Sequence, residues 1–169
     1  MCMKLIRLID EFKNDIINDI LYHMNVVISS IEELLLQRLY FILDIKAGNN
    51  VNIVLDSPYD WDKIETDYFN MVISGQAFEH IEFFWITMIE MTRVLKKDGV
   101  VCIIAPFGFG EHKYPVDCFR FTSDGLIALA KYVGLDILYS KTIGKDSVII
   151  AKKLYSGPTK CIDVKNYKI

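Results

Sequence analysis

Residues 69–106, FNMVISGQAFEHIEFFWITMIEMTRVLKKDGVVCIIAP, decide how the chain folds. Asn70-Met71-Val72-Ile73-Ser74 is a short apolar run closed by Gly75, and Val100-Val101-Cys102-Ile103-Ile104-Ala105 is a second closed by Pro106. Runs this short suit strands buried on both faces and are too short for helices packed in a core. Between them Phe83, Ile86, Ile89, Met91, Val94 and Leu95 recur at three-to-four-residue spacing, the apolar face of a helix. Lys96-Lys97-Asp98-Gly99 reads as that helix's basic last turn and glycine stop. Strand, helix and strand in this order make a right-handed βαβ unit.

In a parallel sheet ligands gather at the carboxyl ends of the strands, so the segments after each strand carry the functional signal. They are Gly75-Gln76-Ala77-Phe78-Glu79-His80 and Phe107-Gly108-Phe109-Gly110-Glu111-His112, each ending in an acid-histidine pair. One such pair alone is a helix-start carboxylate beside a hydrogen-bonded histidine. Two at equivalent strand ends point toward a site.

With 169 residues, 52% hydrophobic and 12% aromatic, the chain forms one domain with a proper core. A net charge of −3 offers no general attraction for nucleic acid or acidic membranes, so neither is expected as a partner. Cys2, Cys102, Cys118 and Cys161 lack metal-ligand spacing, so no metal site is expected and reduced thiols in the cytoplasm are the plain reading. The apolar start is broken by Lys4, Arg7, Asp10 and Glu11, which excludes a signal peptide or membrane span there.

Upstream, Leu5, Leu8, Ile9, Phe12, Ile16, Ile20 and Met24 trace one face of an amphipathic helix over residues 1–24. Unless it packs on the sheet, that face is available to a partner, as in a homodimer. Ser30 and Glu33 have capping-box spacing, predicting a helix over residues 31–39 preceded by a strand at residues 26–28. Residues 40–45 and 51–55 are then strands, each with an aspartate at its carboxyl end, Asp44 and Asp56. Such an acid accepts hydrogen bonds from paired hydroxyls or an exocyclic amine; its plainer role is to cap the next turn. Downstream, residues 111–121 form a polar and aromatic loop, and Thr122-Ser123-Asp124 opens a helix ended by Gly134. Residues 135–142 and 147–152 form a closing antiparallel hairpin, and residues 156–169 read as a loosely held tail after a domain spanning 1–155.

This order of elements resembles the class I S-adenosylmethionine-dependent methyltransferases. More narrowly, Asp56-Ser57-Pro58-Tyr59-Asp60-Trp61, Ser74 through His80, Arg93-Val94-Leu95-Lys96-Lys97-Asp98-Gly99 and His112 through Asp117 look like the methyltransferase type 11 family. The resemblance implies an α/β Rossmann-like three-layer sandwich: a mostly parallel sheet with an antiparallel C-terminal hairpin, reduced at the N-terminus. It implies S-adenosylmethionine as cofactor, with Asp44 and its neighbour Ile45 at the ribose, Asp56 and Ser57 at the adenine, and Gly75 and Gln76 alongside. The loop bearing His112, Tyr114, Asp117 and Arg120 would face the methyl acceptor. His112 is the first candidate for a catalytic base and His80 the second, since imidazole titrates near neutrality.

The family's first strand ends in a glycine-rich loop, whereas no glycine precedes Gly48 here. The N-terminal cofactor motif is therefore shortened or degenerate, with residues 26–28 expected to fill the first-strand slot as a reduced strand; a truncated or rearranged N-terminus is the competing explanation. Two functions follow as expectations: methyl transfer to a small-molecule or carbohydrate-type acceptor, or a non-catalytic relative serving as a binding or assembly partner. A dinucleotide-dependent dehydrogenase is disfavoured because no GxGxxG follows any strand.

Overall fold

A computed structural model describes residues 43–48, 51–113 and 115–167. The predicted helices over residues 1–24 and 31–39, the strand at 26–28, residues 40–42 and Tyr114 lie outside the described residues. Two short strands, β1 (Leu43–Asp44) and β2 (Ile53–Val54), pair in parallel with Asp44 opposite Val54. The larger sheet holds β3 (Phe69–Gly75), β4 (Leu95–Pro106), β5 (Asp136–Ile143) and β6 (Asp146–Lys152) in the order β3-β4-β6-β5. β3 and β4 run parallel, and β6 and β5 add an antiparallel hairpin. Helix α1 (Phe84–Val94) makes the crossover from β3 to β4, and α2 (Ser123–Tyr132) precedes the hairpin. This is the expected α/β Rossmann-like arrangement.

β4 organises the interior because both of its faces are apolar. Val101, Ile103 and Ala105 join a large core with Leu43, Leu55, Trp61, Met88, Met91, Leu126 and Leu129, whereas Val100, Cys102 and Ile104 form a second cluster with Val148 and Ile150. Burial pushes the Cys102 thiol up to about 12, so it behaves as a small apolar side chain. Both α1 and α2 pack on the large core. Thr122 caps α2 as its spacing predicts, its Oγ1 accepting from Gly125 N at 3.0 Å.

Three expectations need correction. The buried face of α1 is Thr87, Met88, Met91, Thr92 and Val94, while Phe83 and Ile86 are exposed. The helix also stops earlier than Gly99: Leu95 is already extended, and residues 96–99 form a bulge in β4 between Leu95, opposite Phe69, and Val100, opposite Met71. Glycine is required there for close approach, since a Cβ on Gly99 would sit 2.9 Å from Lys96 O and 3.0 Å from Asn70 O. Finally, the C-terminal segment is held rather than loose. Gly157 N donates to Asp67 Oδ2 (2.7 Å), Thr159 Oγ1 to Ile89 O (2.6 Å) and Ile162 N to Tyr132 O (2.9 Å).

Below the bulge lies a buried cation. Lys153 is fully buried, and its Nζ donates to Asp67 Oδ1 (2.8 Å), Leu95 O (2.8 Å), Gly157 O (2.7 Å) and, at 3.3 Å, Arg93 O. This knot ties together the amino ends of β3 and β4, opposite the carboxyl ends that carry Gly75 and Pro106.

Candidate functional site

At the carboxyl end of β1, Asp44 is buried. Its Oδ1 accepts from Lys46 N at 2.9 Å, while Oδ2 is buried without a hydrogen-bond partner among the described residues. Leu55 N donates to Asp44 O at 2.8 Å, which extends the parallel pairing and brings Asp56 to the same end. The two aspartates then part: the Asp56 side chain is 83% exposed and pairs with Lys63 at 2.9 Å. Ser57 Oγ accepts from Tyr59 N at 3.1 Å, and Ile45 is half-buried against the core. After β3, Gly75 is buried and Gln76 takes a left-handed backbone (φ 51) that side chains other than glycine rarely adopt. Gln76 N donates to Ile104 O (2.9 Å), and its Nε2 donates to Asp146 Oδ1 (2.7 Å).

The next residues form a short helical turn, Phe78–His80, that drives Glu79 inward. Glu79 is fully buried, and neither of its carboxylate oxygens has a hydrogen-bond partner among the described residues. Burial raises its carboxyl above the usual range, against smaller opposing effects of its own backbone, His80, His112 and Arg120. His80 Nε2 stands 3.6 Å and His112 Nε2 3.9 Å from Glu79 Oε1. The imidazole rings meet edge-on with centroids 5.0 Å apart.

His112 arrives from the loop after β4, whose shape is set from within. Phe121 N donates to Pro106 O at 2.9 Å, closing the loop at its base, and Cys118 N donates to Glu79 O at 2.7 Å. Phe119 and Phe121 stack edge-on against Phe84 of α1, at 4.9 and 5.0 Å between centroids. Arg120 Nε donates to Phe109 O (2.9 Å) and Nη2 to Gly110 O (2.6 Å) and Asp117 Oδ2 (2.7 Å). Asp117 Oδ2 also accepts from His112 N at 2.6 Å. The Arg120 guanidinium holds the Asp117 carboxyl well below the usual range, so this clamp stays ionised.

The predicted residues thus divide. His80, His112, Asp117 and Arg120 come together around Glu79. Asp44, Ile45, Asp56 and Ser57 mark the β1-β2 end, and Gly75 and Gln76 lead from β3 into the turn that carries Glu79. Of the two acids paired with histidine, Glu111 is exposed on Lys113 at 3.3 Å and stays outside the cluster. Sequence reasoning noted Glu79 but gave it no role; its signal was the coincidence of a strand end with an acid preceding a histidine.

Comparisons with known proteins agree with this architecture. Residues 43–103 match the methyltransferase type 11 family, described as a methyltransferase domain. No curated protein matches the sequence. Among solved structures, the chain is similar to 1,6-didemethyltoxoflavin-N1-methyltransferase of Burkholderia thailandensis, bound to 1,6-didemethyltoxoflavin and S-adenosylhomocysteine (TM-score 0.55, 15% identity, 66% of this chain and 59% of that one). It is similar to a chain of the complex between the Haloferax volcanii Trm112 methyltransferase activator and its methyltransferase candidate (0.53, 12%, 65% and 64%). It is also similar to the 4+2 cyclase SpnF (0.52, 10%, 63% and 58%). In each case less than two thirds of the relative is covered. The chain therefore carries the class I S-adenosylmethionine-dependent methyltransferase fold, with residues 43–103 matching the methyltransferase domain family.

Proposed function

We propose that the chain is an S-adenosylmethionine-dependent methyltransferase acting on a small-molecule or carbohydrate-type acceptor. The observation that carries this reading is Asp44 Oδ2, a buried acceptor with no partner among the described residues at the strand end where the fold takes its cofactor. A ribose hydroxyl is the kind of donor that oxygen lacks. Asp44 would hold the ribose with Ile45 beside it, Asp56 and Ser57 would border the adenine, and the backbone at Gly75 and Gln76 would line the crevice. When bound, S-adenosylmethionine supplies an electrophilic methyl group.

What the chain itself contributes is position and proton handling. The Arg120–Asp117 clamp fixes the loop that carries His112, whose side chain remains 37% exposed toward an acceptor. His112 Nδ1 lies 3.1 Å from Gly110 O, which can only accept, and 3.5 Å from Arg120 Nη2, which can only donate; the shorter contact favours the neutral tautomer with its proton on Nδ1 and Nε2 as the base. Glu79 nearby would stabilise the imidazolium formed when an acceptor hydroxyl or amine loses its proton.

Calorimetry with S-adenosylhomocysteine tests the reading. The chain is expected to bind it, and Asp44→Ala to weaken binding at least tenfold. No binding at millimolar ligand would overturn the proposal. It would favour the second reading, a non-catalytic binding or assembly partner, whose support is the lack of any glycine in residues 1–47.

A further inference from the structure

We propose that Glu79, His80 and His112 form a binding site for a divalent first-row metal ion such as zinc or manganese. One carboxylate oxygen and one imidazole nitrogen from each histidine lie within 4.8 Å of one another. Around a single ion with bonds of about 2.1 Å, tetrahedral donors stand roughly 3.4 Å apart. The separations from Glu79 Oε1, 3.6 Å to His80 Nε2 and 3.9 Å to His112 Nε2, are close to that and too long for hydrogen bonds. Small side-chain rotations would bring all three onto one centre.

The chemistry of the donors supports this. His80 Nδ1 is 2.6 Å from Val116 O and His112 Nδ1 is 3.1 Å from Gly110 O. Each ring thus sets its Nδ1 against a backbone carbonyl, with Arg120 Nη2 a more distant 3.5 Å from that of His112, and turns Nε2 toward Glu79, the arrangement usual for metal-bound histidine. Glu79 supplies the second, independent observation: a fully buried carboxylate aimed into the cluster with both oxygens unpartnered among the described residues. A cation among these three groups would remove that cost. Two imidazoles and one carboxylate suit zinc, manganese, iron or cobalt rather than calcium or magnesium. Three protein ligands leave coordination positions open, and the partly exposed His112 side gives access to them. An acceptor offering two adjacent oxygens, such as a vicinal diol, fits those positions. This last step rests on the methyl-transfer reading; the metal site does not.

The test uses the full chain, stripped with a chelator and then titrated with manganese(II) or zinc(II), without S-adenosylmethionine. Manganese binding is followed by electron paramagnetic resonance and zinc by calorimetry; manganese avoids the thiols, for which it has little affinity. One equivalent is expected to bind. Glu79→Gln and His112→Ala should each weaken binding at least tenfold while keeping the wild-type circular dichroism spectrum, and Glu111→Gln should leave it unchanged. No uptake at millimolar metal, or uptake indifferent to Glu79→Gln, would overturn the proposal. Failure to bind S-adenosylhomocysteine would sink the methyltransferase reading alone. The same Nε2 lone pair of His112 cannot both bind the metal and take a proton, so methyl transfer that survives the chelator would assign His112 as the base of the metal-free protein, whereas transfer lost with the metal would assign it as a ligand.

Discussion

Two buried charges stand at opposite ends of the β3-β4 pair, and they are treated in opposite ways. Lys153, at the amino end, gives its ammonium hydrogens to Asp67 Oδ1 and to the Leu95, Gly157 and Arg93 carbonyls. Glu79, at the carboxyl end, is as deeply buried, yet both its oxygens lack a hydrogen-bond partner among the described residues. An ion removed from water costs several kcal/mol unless neighbours replace the hydration. Where every donor is used, as at Lys153, the charge is structural. Where the cost stands uncompensated and histidines converge on it, as at Glu79, the protein is less stable than it could be, and a ligand is the natural compensation.

The largest effect should come from breaking the satisfied end. Asp67→Ala leaves the Lys153 ammonium buried with carbonyl partners alone and is expected to cost about 3 kcal/mol, measured by urea unfolding at pH 7. The pH dependence has a definite sign. Hydrogen bonding from Lys153 lowers the Asp67 carboxyl, so its contribution is complete above the unfolded carboxylate value of about 3.9. It drains away as the pH falls through the lower folded value. Wild type should show this acid loss, and Asp67→Ala should lack it. A variant as stable as wild type would mean that the knot is ornamental and the contrast between the two ends is void.

Glu79→Gln should act in the other direction. In chelator-treated protein it removes an uncompensated buried charge but leaves a buried amide, so the gain is expected to be about 1 kcal/mol at neutral pH. Here the folded carboxyl is raised by burial. Its destabilising effect is therefore absent below the unfolded value of about 4.3 and grows as pH rises through the folded value. Thermal unfolding from pH 4 to 8 should show wild-type stability declining relative to Glu79→Gln. If the variant is instead less stable at every pH, Glu79 is paired in solution and the proposed site loses its main support.

The two ends were unequally legible in the sequence. Strands β3 and β4, the crossover helix and the α2 cap could be read because short apolar runs, three-to-four spacing and a Thr122-Ser123-Asp124 start each reflect local geometry. The knot could not. Lys153 follows the last strand, and nothing local says that a chain reversal at Asp67 will meet it. The Lys96-Lys97-Asp98-Gly99 stop misled because its glycine serves a bulge rather than a helix cap. At the site, two acid-histidine pairs looked equivalent. Only the short turn after β3 separates them, burying Glu79 while Glu111 stays on the loop surface.

Asp56 and Lys63 provide the exposed reference against which both buried charges are judged. Their side chains are 83% and 53% exposed, their carboxylate and ammonium lie 2.9 Å apart, and Lys63 Nζ also reaches Val54 O at 3.1 Å. In water such a pair gains little over separate hydration, so Asp56→Ala should change stability by no more than about 0.5 kcal/mol in thermal unfolding. Its effect on S-adenosylhomocysteine affinity is a separate quantity, because a carboxylate at the proposed adenine edge would act only with ligand present. A variant with unchanged melting temperature and severalfold weaker binding would make Asp56 a ligand contact. Unchanged binding would confine it to pairing with Lys63, leaving Asp44 as the one acid at this end still proposed to meet the cofactor.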